Sequence, residues 1–182
     1  ASGKITANQM KNAVILFAIL SCIATFALLY FAFFTVHLMK EFYIFVGLGI
    51  ACILAAIGYT VGKKPYAYMG LGDIFVFIFF GLVSVCGSYF LFTKNFDLDM
   101  LLPATAVGML SAAVLNLNNM RDIESDAISG KNTLALRLGF KKAMVYEVIL
   151  LQLPLILMLV FMMMNGLHTQ KKYYAFIFFI LM

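Results

Sequence analysis

The apolar residues of this chain come in long unbroken runs, and nothing else in it constrains the fold as strongly. Five runs, residues 11–34, 42–60, 72–92, 101–116 and 142–164, stand between short polar breaks. Crossing roughly 30 Å of hydrocarbon takes about 20 apolar residues, which these runs supply, the fourth being short. A soluble domain carries charge on about a quarter of its residues, whereas here 12% are charged and 64% hydrophobic. Backbone groups in lipid must be satisfied within their own segment, so the runs are predicted to be helices; none shows the polar-apolar alternation of a barrel strand. The expected fold is therefore all-α, a polytopic bundle embedded in the lipid bilayer, with residues 1–182 as a single domain. A sixth run, 173–182, is too short to span. With no initiator Met and no signal-peptide pattern at Ala1-Ser2-Gly3-Lys4, the domain is expected to be truncated at both ends.

Lysine and arginine set the expected orientation. Nine of them (Lys4, Lys11, Lys63, Lys64, Arg121, Lys131, Arg137, Lys141, Lys142) fall on the face shared by the N-terminus and the loops after the second and fourth runs. The other face has four (Lys40, Lys94, Lys171, Lys172). The first face is thus predicted to be cytoplasmic, in a bacterial cytoplasmic (inner) membrane. The net charge of +5 is mostly this topology signal; no separate basic patch supports nucleic-acid binding. Cys22, Cys52 and Cys86 sit inside apolar runs, without a Cys-x-x-Cys or Cys/His pairing, and read as small hydrophobes. His37 and His168 fall at the ends of runs on the opposite face. Pro154 should kink the last span, which membrane helices tolerate.

Against this background one segment is anomalous. From Asn116 to Lys131 the chain is polar, and three of its eight acidic residues, Asp122, Glu124 and Asp126, lie within five positions. Ionisable groups in or beside a membrane span mark a functional site by default. If the fourth helix continues through residue 126, Asp122 and Asp126 stack one turn apart, with Asn118 and Asn119 within about 60° of Asp122 and Glu124 about 200° away. Two stacked carboxylates repel unless a cation lies between them, and Mg²⁺ is typically held by one or two carboxylates together with substrate phosphates. Lys63, Lys64, Arg121, Lys131 and Arg137 share that face and suit phosphate groups. Thr133 or Asn132 is predicted to cap a short helix ending at Gly139, with Leu134 and Leu138 on one side. A diphosphate site at the mouth of an apolar bundle implies a substrate with a charged head and a lipid tail, such as a polyprenyl diphosphate. Aromatic faces can shield an allylic cation, and the chain has 19 Phe and 9 Tyr, too many to single one out.

The segment Asn118-Asn119-Met120-Arg121-Asp122-Ile123-Glu124-Ser125-Asp126, with Gly130-Lys131-Asn132-Thr133-Leu134-Ala135-Leu136-Arg137-Leu138-Gly139, resembles the second aspartate-rich motif of the UbiA superfamily of membrane prenyltransferases. Tyr59-Thr60, Gly62, Pro65 and Gly70-Leu71-Gly72-Asp73, followed by Val76, Phe77, Phe79 and Gly81, are similar to the branch that prenylates dihydroxynaphthoate in menaquinone biosynthesis. The resemblance implies part of a nine-helix fold around a cavity open to lipid, with Mg²⁺ as cofactor and polyprenyl diphosphate and dihydroxynaphthoate as substrates. It implies prenyl transfer with loss of the acceptor carboxylate as carbon dioxide, and no obligate protein partner. Asp122 and Asp126 would be catalytic metal ligands; Asn118, Asn119, Arg121, Lys131 and Arg137 would bind the diphosphate, and Lys63 and Tyr59 would lie near the diphosphate or acceptor. Position 73 is Asp where Glu is expected. The first aspartate-rich motif is absent from the sequence, and residues 1–6 resemble the segment just after it, so the isolated chain is expected not to turn over substrate. Two other classes make contrasting demands. A cation or proton transporter using the Asp pair would also need acidic groups at mid-membrane, where only Glu147 is a partial candidate. A purely structural subunit leaves the polar segment unexplained.

Overall fold

In a computed structural model of the protein, residues 5–60 and 65–165 are described. Lys63, Lys64, His168, Lys171, Lys172 and the run 173–182 lie outside them. Among the described residues the structure is helical without strands, and five helices are long and apolar enough to cross a membrane: Asn8–Phe34, Met39–Tyr59, Gly72–Thr93, Leu98–Arg121 and Phe140–Met164. These match the five apolar runs, with one instructive difference. The apolar run ends at Asn116, whereas its helix continues to Arg121, short of the residue 126 considered from the sequence. Asn116 does not end it: its side chain is fully buried and its Nδ2 is hydrogen-bonded inside the bundle, as described below.

The chain divides into two compact units, residues 1–56 and 57–182. In the first, α1 (Ala7–Leu29) begins at a reciprocal cap in which Thr6 Oγ1 accepts from the Gln9 amide and Gln9 Oε1 accepts from the Thr6 amide, satisfying two otherwise orphaned donors. A π-helical turn, Tyr30–Phe34, leads through a tight turn with His37 at φ 59° into α2 (Met39–Thr60). Phe33 is fully buried and packs on Phe45 at 5.0 Å; Phe26 meets Phe42 edge-on at 5.9 Å. Most other apolar side chains here are exposed, as suits helices facing lipid.

In the second unit, α3 (Gly72–Val76), a π-helical stretch Phe77–Cys86 and α4 (Gly87–Thr93) form one continuous span. Then come α5 (Leu101–Arg121), α6 (Ile123–Ile128), α7 (Leu134–Leu138) and α8 (Phe140–Met164). α5 is central, packed against both the π-helical stretch and α8. Lipid gives no hydrophobic drive to helix association, so spans pack tightly through small residues. α5 buries Ala104, Ala106, Gly108, Ala112 and Ala113. At the crossing, a Cβ built on Gly81 would lie 2.5 Å from Gly108 Cα and 2.6 Å from Ala104 O. α8 is continuous from Phe140 to Met164 with Pro154 inside it and fully buried. All three cysteines are free thiols.

Candidate functional site

The polar end of the second unit is built by two loops and the helix ends they join. Thr133 caps α7 as the sequence predicts, its hydroxyl accepting from the Leu136 amide at 3.3 Å, and Gly139 (φ 70°) ends it. Across from α7, residues Tyr66–Met69 form a 3-10 turn closed by Gly70 at φ 70°, a conformation natural to glycine. The two segments are hydrogen-bonded to each other. The Asn132 amide donates to Tyr68 O at 3.1 Å, and the Arg137 guanidinium donates to Met69 O at 2.6 Å and to Asn132 Oδ1 at 3.1 Å. A Cβ on Gly70 would lie 2.8 Å from Asn132 O, so the close approach as well as the positive φ requires glycine there.

Behind this latch is a cavity of about 300 Å³, whose lining includes Tyr59, Tyr68, Asp73, Asn119, Lys131 and Thr133. Lys131 Nζ donates to Asp126 Oδ1 at 2.9 Å and stands 6.0 Å from the centre of the Tyr68 ring. Asp126 is 4% exposed. The Asp126 hydrogen bond, and then its charge, raise the Lys131 ammonium above the usual lysine value despite partial desolvation. Tyr59 packs edge-on against Tyr66, which stacks on Phe75 at 4.0 Å.

The polar segment is not one straight helix. α5 ends at Arg121, Asp122 takes φ −99° and ψ 11°, and α6 restarts at Ile123. The Ser125 hydroxyl donates to Asp122 O at 3.0 Å. The Asp126 amide still reaches Asp122 O at 2.8 Å, so the one-turn relation survives in the backbone. The carboxylates take separate cations: Asp122 receives Nε and Nη2 of Arg121 at 2.8 and 2.9 Å in a more exposed position, whereas Asp126 is buried with Lys131. The Arg121 hydrogen bond holds the Asp122 carboxyl below the usual range.

Of the residues singled out by sequence, Tyr59, Asn119 and Lys131 line one cavity and Asp126 is tied to it through Lys131. Asn118 and Arg121 are exposed, Arg121 engaged with Asp122. Arg137 serves the latch between the loops. Lys63 falls outside the described residues. Glu124 is exposed.

Sequence reasoning named Asp73 in a motif and Thr133 as a cap but placed neither of them, nor Tyr68, at the cavity, and it missed a buried pair deeper in the bundle. Asn116 Nδ2 donates to Glu147 Oε2 at 2.8 Å and to Ala143 O at 3.1 Å, all in buried surroundings. Asp73 was visible as an acid in the first turn of a span, a signal strong enough to have marked it. The Asn116–Glu147 pair joins residues 31 positions apart, and no local pattern announces it.

Among the described residues no group of three or more His, Cys, Asp or Glu stands ready to hold a metal. Two carboxylates alone do not make a protein-only metal site, but they fit a hard cation that takes its remaining ligands from phosphate oxygens and water.

A helical membrane bundle with a cavity edged by acidic, basic and tyrosine side chains accords with the family comparison. The sequence matches the UbiA prenyltransferase family across residues 1–182, and the chain belongs to that family. It is 48% identical to 1,4-dihydroxy-2-naphthoate octaprenyltransferase of Haemophilus influenzae over 159 residues, covering 87% of this chain and 51% of the relative. It is 46% identical to the protein of the same name from Escherichia coli, with the same coverage. A 2-carboxy-1,4-naphthoquinone phytyltransferase from Synechocystis is 31% identical over 96 residues, 52% of this chain and 30% of the relative. The chain spans about half the length of the first two relatives. No solved structure matches it.

Proposed function

We propose that the whole protein transfers a polyprenyl group from polyprenyl diphosphate to dihydroxynaphthoate, with loss of the acceptor carboxylate, in menaquinone biosynthesis. The observation that carries this reading is the cavity at the polar end of the bundle, where the Asp126–Lys131 pair, Asn119 and Tyr59 come together, in a chain closely similar to naphthoate prenyltransferases. Asp122 and Asp126 would hold Mg²⁺, which when bound neutralises charge on the diphosphate. Lys131 and Arg121 supply further positive charge towards the leaving pyrophosphate, a stabilisation of charge that develops in the transition state. Asn118 and Asn119 add hydrogen bonds to its oxygens. Tyr59 and Tyr68 offer aromatic faces to the allylic carbon as it gains positive character. Arg137 contributes by fixing the loop rather than by touching phosphate, and Lys63 follows Tyr59 closely in the sequence.

On this reading residues 1–182 form part of one prenyltransferase domain in the bacterial cytoplasmic membrane, with the acidic segment on the cytoplasmic side, and no obligate protein partner is needed. The similarity to a phytyltransferase acting on a carboxy-naphthoquinone favours a second reading, a related naphthalene acceptor at the same site. The deciding experiment incubates the whole protein in bilayer with Mg²⁺, a polyprenyl diphosphate and either dihydroxynaphthoate or hydroxybenzoate. A prenylated, decarboxylated naphthalene product is expected, lost in both Asp122→Ala and Asp126→Ala. Full activity in either variant would remove the metal assignment, and prenylation of hydroxybenzoate alone would remove the acceptor.

A further inference from the structure

We propose that Asp73 is the base that takes the proton from the ring hydroxyl of the aromatic acceptor as the new carbon–carbon bond forms. This inference rests on the prenyl-transfer reading and adds to it a residue on α3, outside the aspartate-rich segment.

Asp73 is 5% exposed, lines the cavity shared by Lys131, Asn119 and Tyr59, and its Oδ1 is buried without a hydrogen-bond partner. Buried polar atoms in folded proteins are almost always partnered, so an orphaned carboxyl oxygen at a cavity wall calls for a donor from a bound molecule. The groups around it do not fill that role. Tyr59 and Tyr68 share the cavity lining, Tyr146 and Glu147 of α8 lie within electrostatic reach, and Lys131 is engaged with Asp126. Next to it, Gly72 leaves little free space, since a Cβ there would stand 3.2 Å from Leu115 and 3.7 Å from the Tyr59 ring. A flat aromatic ring bearing a hydroxyl has the shape and the donor that such a wall accepts.

The step balances within the acceptor, the donor and Asp73. The ring carbon bearing the carboxylate bonds to the first prenyl carbon, whose bond to oxygen breaks, the electron pair leaving with pyrophosphate. The O–H bond of the neighbouring hydroxyl breaks at the same time; its proton moves to Asp73 and its electron pair forms a ring carbonyl. Loss of carbon dioxide returns an electron pair to the ring, and Asp73 gives the proton back to the carbonyl oxygen. The residue ends as it began.

The test uses the whole protein in lipid nanodiscs with Mg²⁺, farnesyl diphosphate and dihydroxynaphthoate. Asp73→Asn keeps size and polarity but cannot accept a proton. It is expected to lower kcat by about a hundredfold or more and to flatten the acid limb of the kcat–pH profile, while equilibrium binding of farnesyl diphosphate stays within about twofold of wild type. Asp73→Glu should recover part of kcat and keep the acid limb, and it serves alone if the Asn variant does not fold. An Asn variant with wild-type kcat and acid limb, a joint loss of kcat and donor binding, or a Glu variant with a flat profile would each overturn the proposal. A wild-type protein that never prenylates dihydroxynaphthoate would instead overturn the function on which it rests.

Discussion

Replacing Gly81 by alanine asks more of this fold than any other single methyl group the structure suggests. The added Cβ would meet Gly108 Cα at 2.5 Å, Ala104 O at 2.6 Å and Gly108 N at 2.8 Å. All three are backbone atoms of α5, so no side chain can turn aside. Restoring van der Waals contact needs the span from Gly72 to Thr93 to move from α5 by about 1 Å, and the contacts along the seam loosen with it. Overpacking of a close-packed core costs about 1–3 kcal/mol, and a clash with backbone on every side belongs at the upper end. A loss of about 3 kcal/mol is therefore expected, roughly a hundredfold in the ratio of folded to unfolded protein. Unfolding in mixed SDS and detergent micelles, followed by circular dichroism, measures it. Gly49→Ala is the control: its Cβ meets nothing within 4 Å, so only the better helix propensity of alanine acts, up to about 1 kcal/mol in favour of folding. Gly108→Ala, whose Cβ meets Phe77 Cδ2 and O at 2.8 Å, crowds the same gap. The double variant should cost less than the sum of the single ones, because one separation relieves both clashes. If Gly81→Ala unfolds within about 0.5 kcal/mol of Gly49→Ala, the tight crossing is not what holds these spans together.

Two further outcomes follow from the polar groups. Asn116→Leu strands Glu147 Oε2 without the donor now 2.8 Å away and should cost about 1–3 kcal/mol. Adding Glu147→Leu should restore most of that loss, since a well-packed apolar pair replaces a buried polar one at little cost, and additive losses in the same unfolding assay would refute the coupling. The ion pairs give stability opposite pH dependences. Asp122 is held below the usual carboxylate range, so its contribution is complete above the unfolded value and lost as pH falls through the lowered folded value. Lys131 is raised, so its contribution is complete below the usual lysine value and lost as pH rises through the higher folded value. Asp122→Asn should therefore flatten chiefly the acid limb of stability against pH, and Lys131→Met chiefly the alkaline limb, each with a smaller effect on the other because the two charges also act on one another; unchanged limbs would show that neither pair matters to folding.

What the sequence made legible and what it hid differ in range. The spans were readable because an apolar run needs no partner to declare itself, and the short helix from Leu134 to Leu138 because Thr133 and Gly139 carry its start and stop locally. Asp122 and Asp126 stood out by contrast with their surroundings. The sequence allowed the fourth helix to run on past Asn116, but the burial of Asn116 against Glu147 was hidden, because that partner arrives from a later span. The break at Asp122 was hidden too, since no Gly or Pro stands between Met120 and Ser125 to announce it. Arg137 read as a free cation for phosphate, and only the fold reveals the carbonyl of Met69, 68 positions earlier, that it holds.

That last contact has a consequence for anyone recombining members of this family. Residues 66–70 and 132–137 fit each other as a matched set, through Gly70 against Asn132 and Arg137 against Met69. A chimera that imports either segment alone brings a surface cut for a different counterpart, and the mismatch falls beside Lys131, on the wall of the cavity. The unit of exchange between relatives is the two segments together, although they are more than sixty residues apart in the chain.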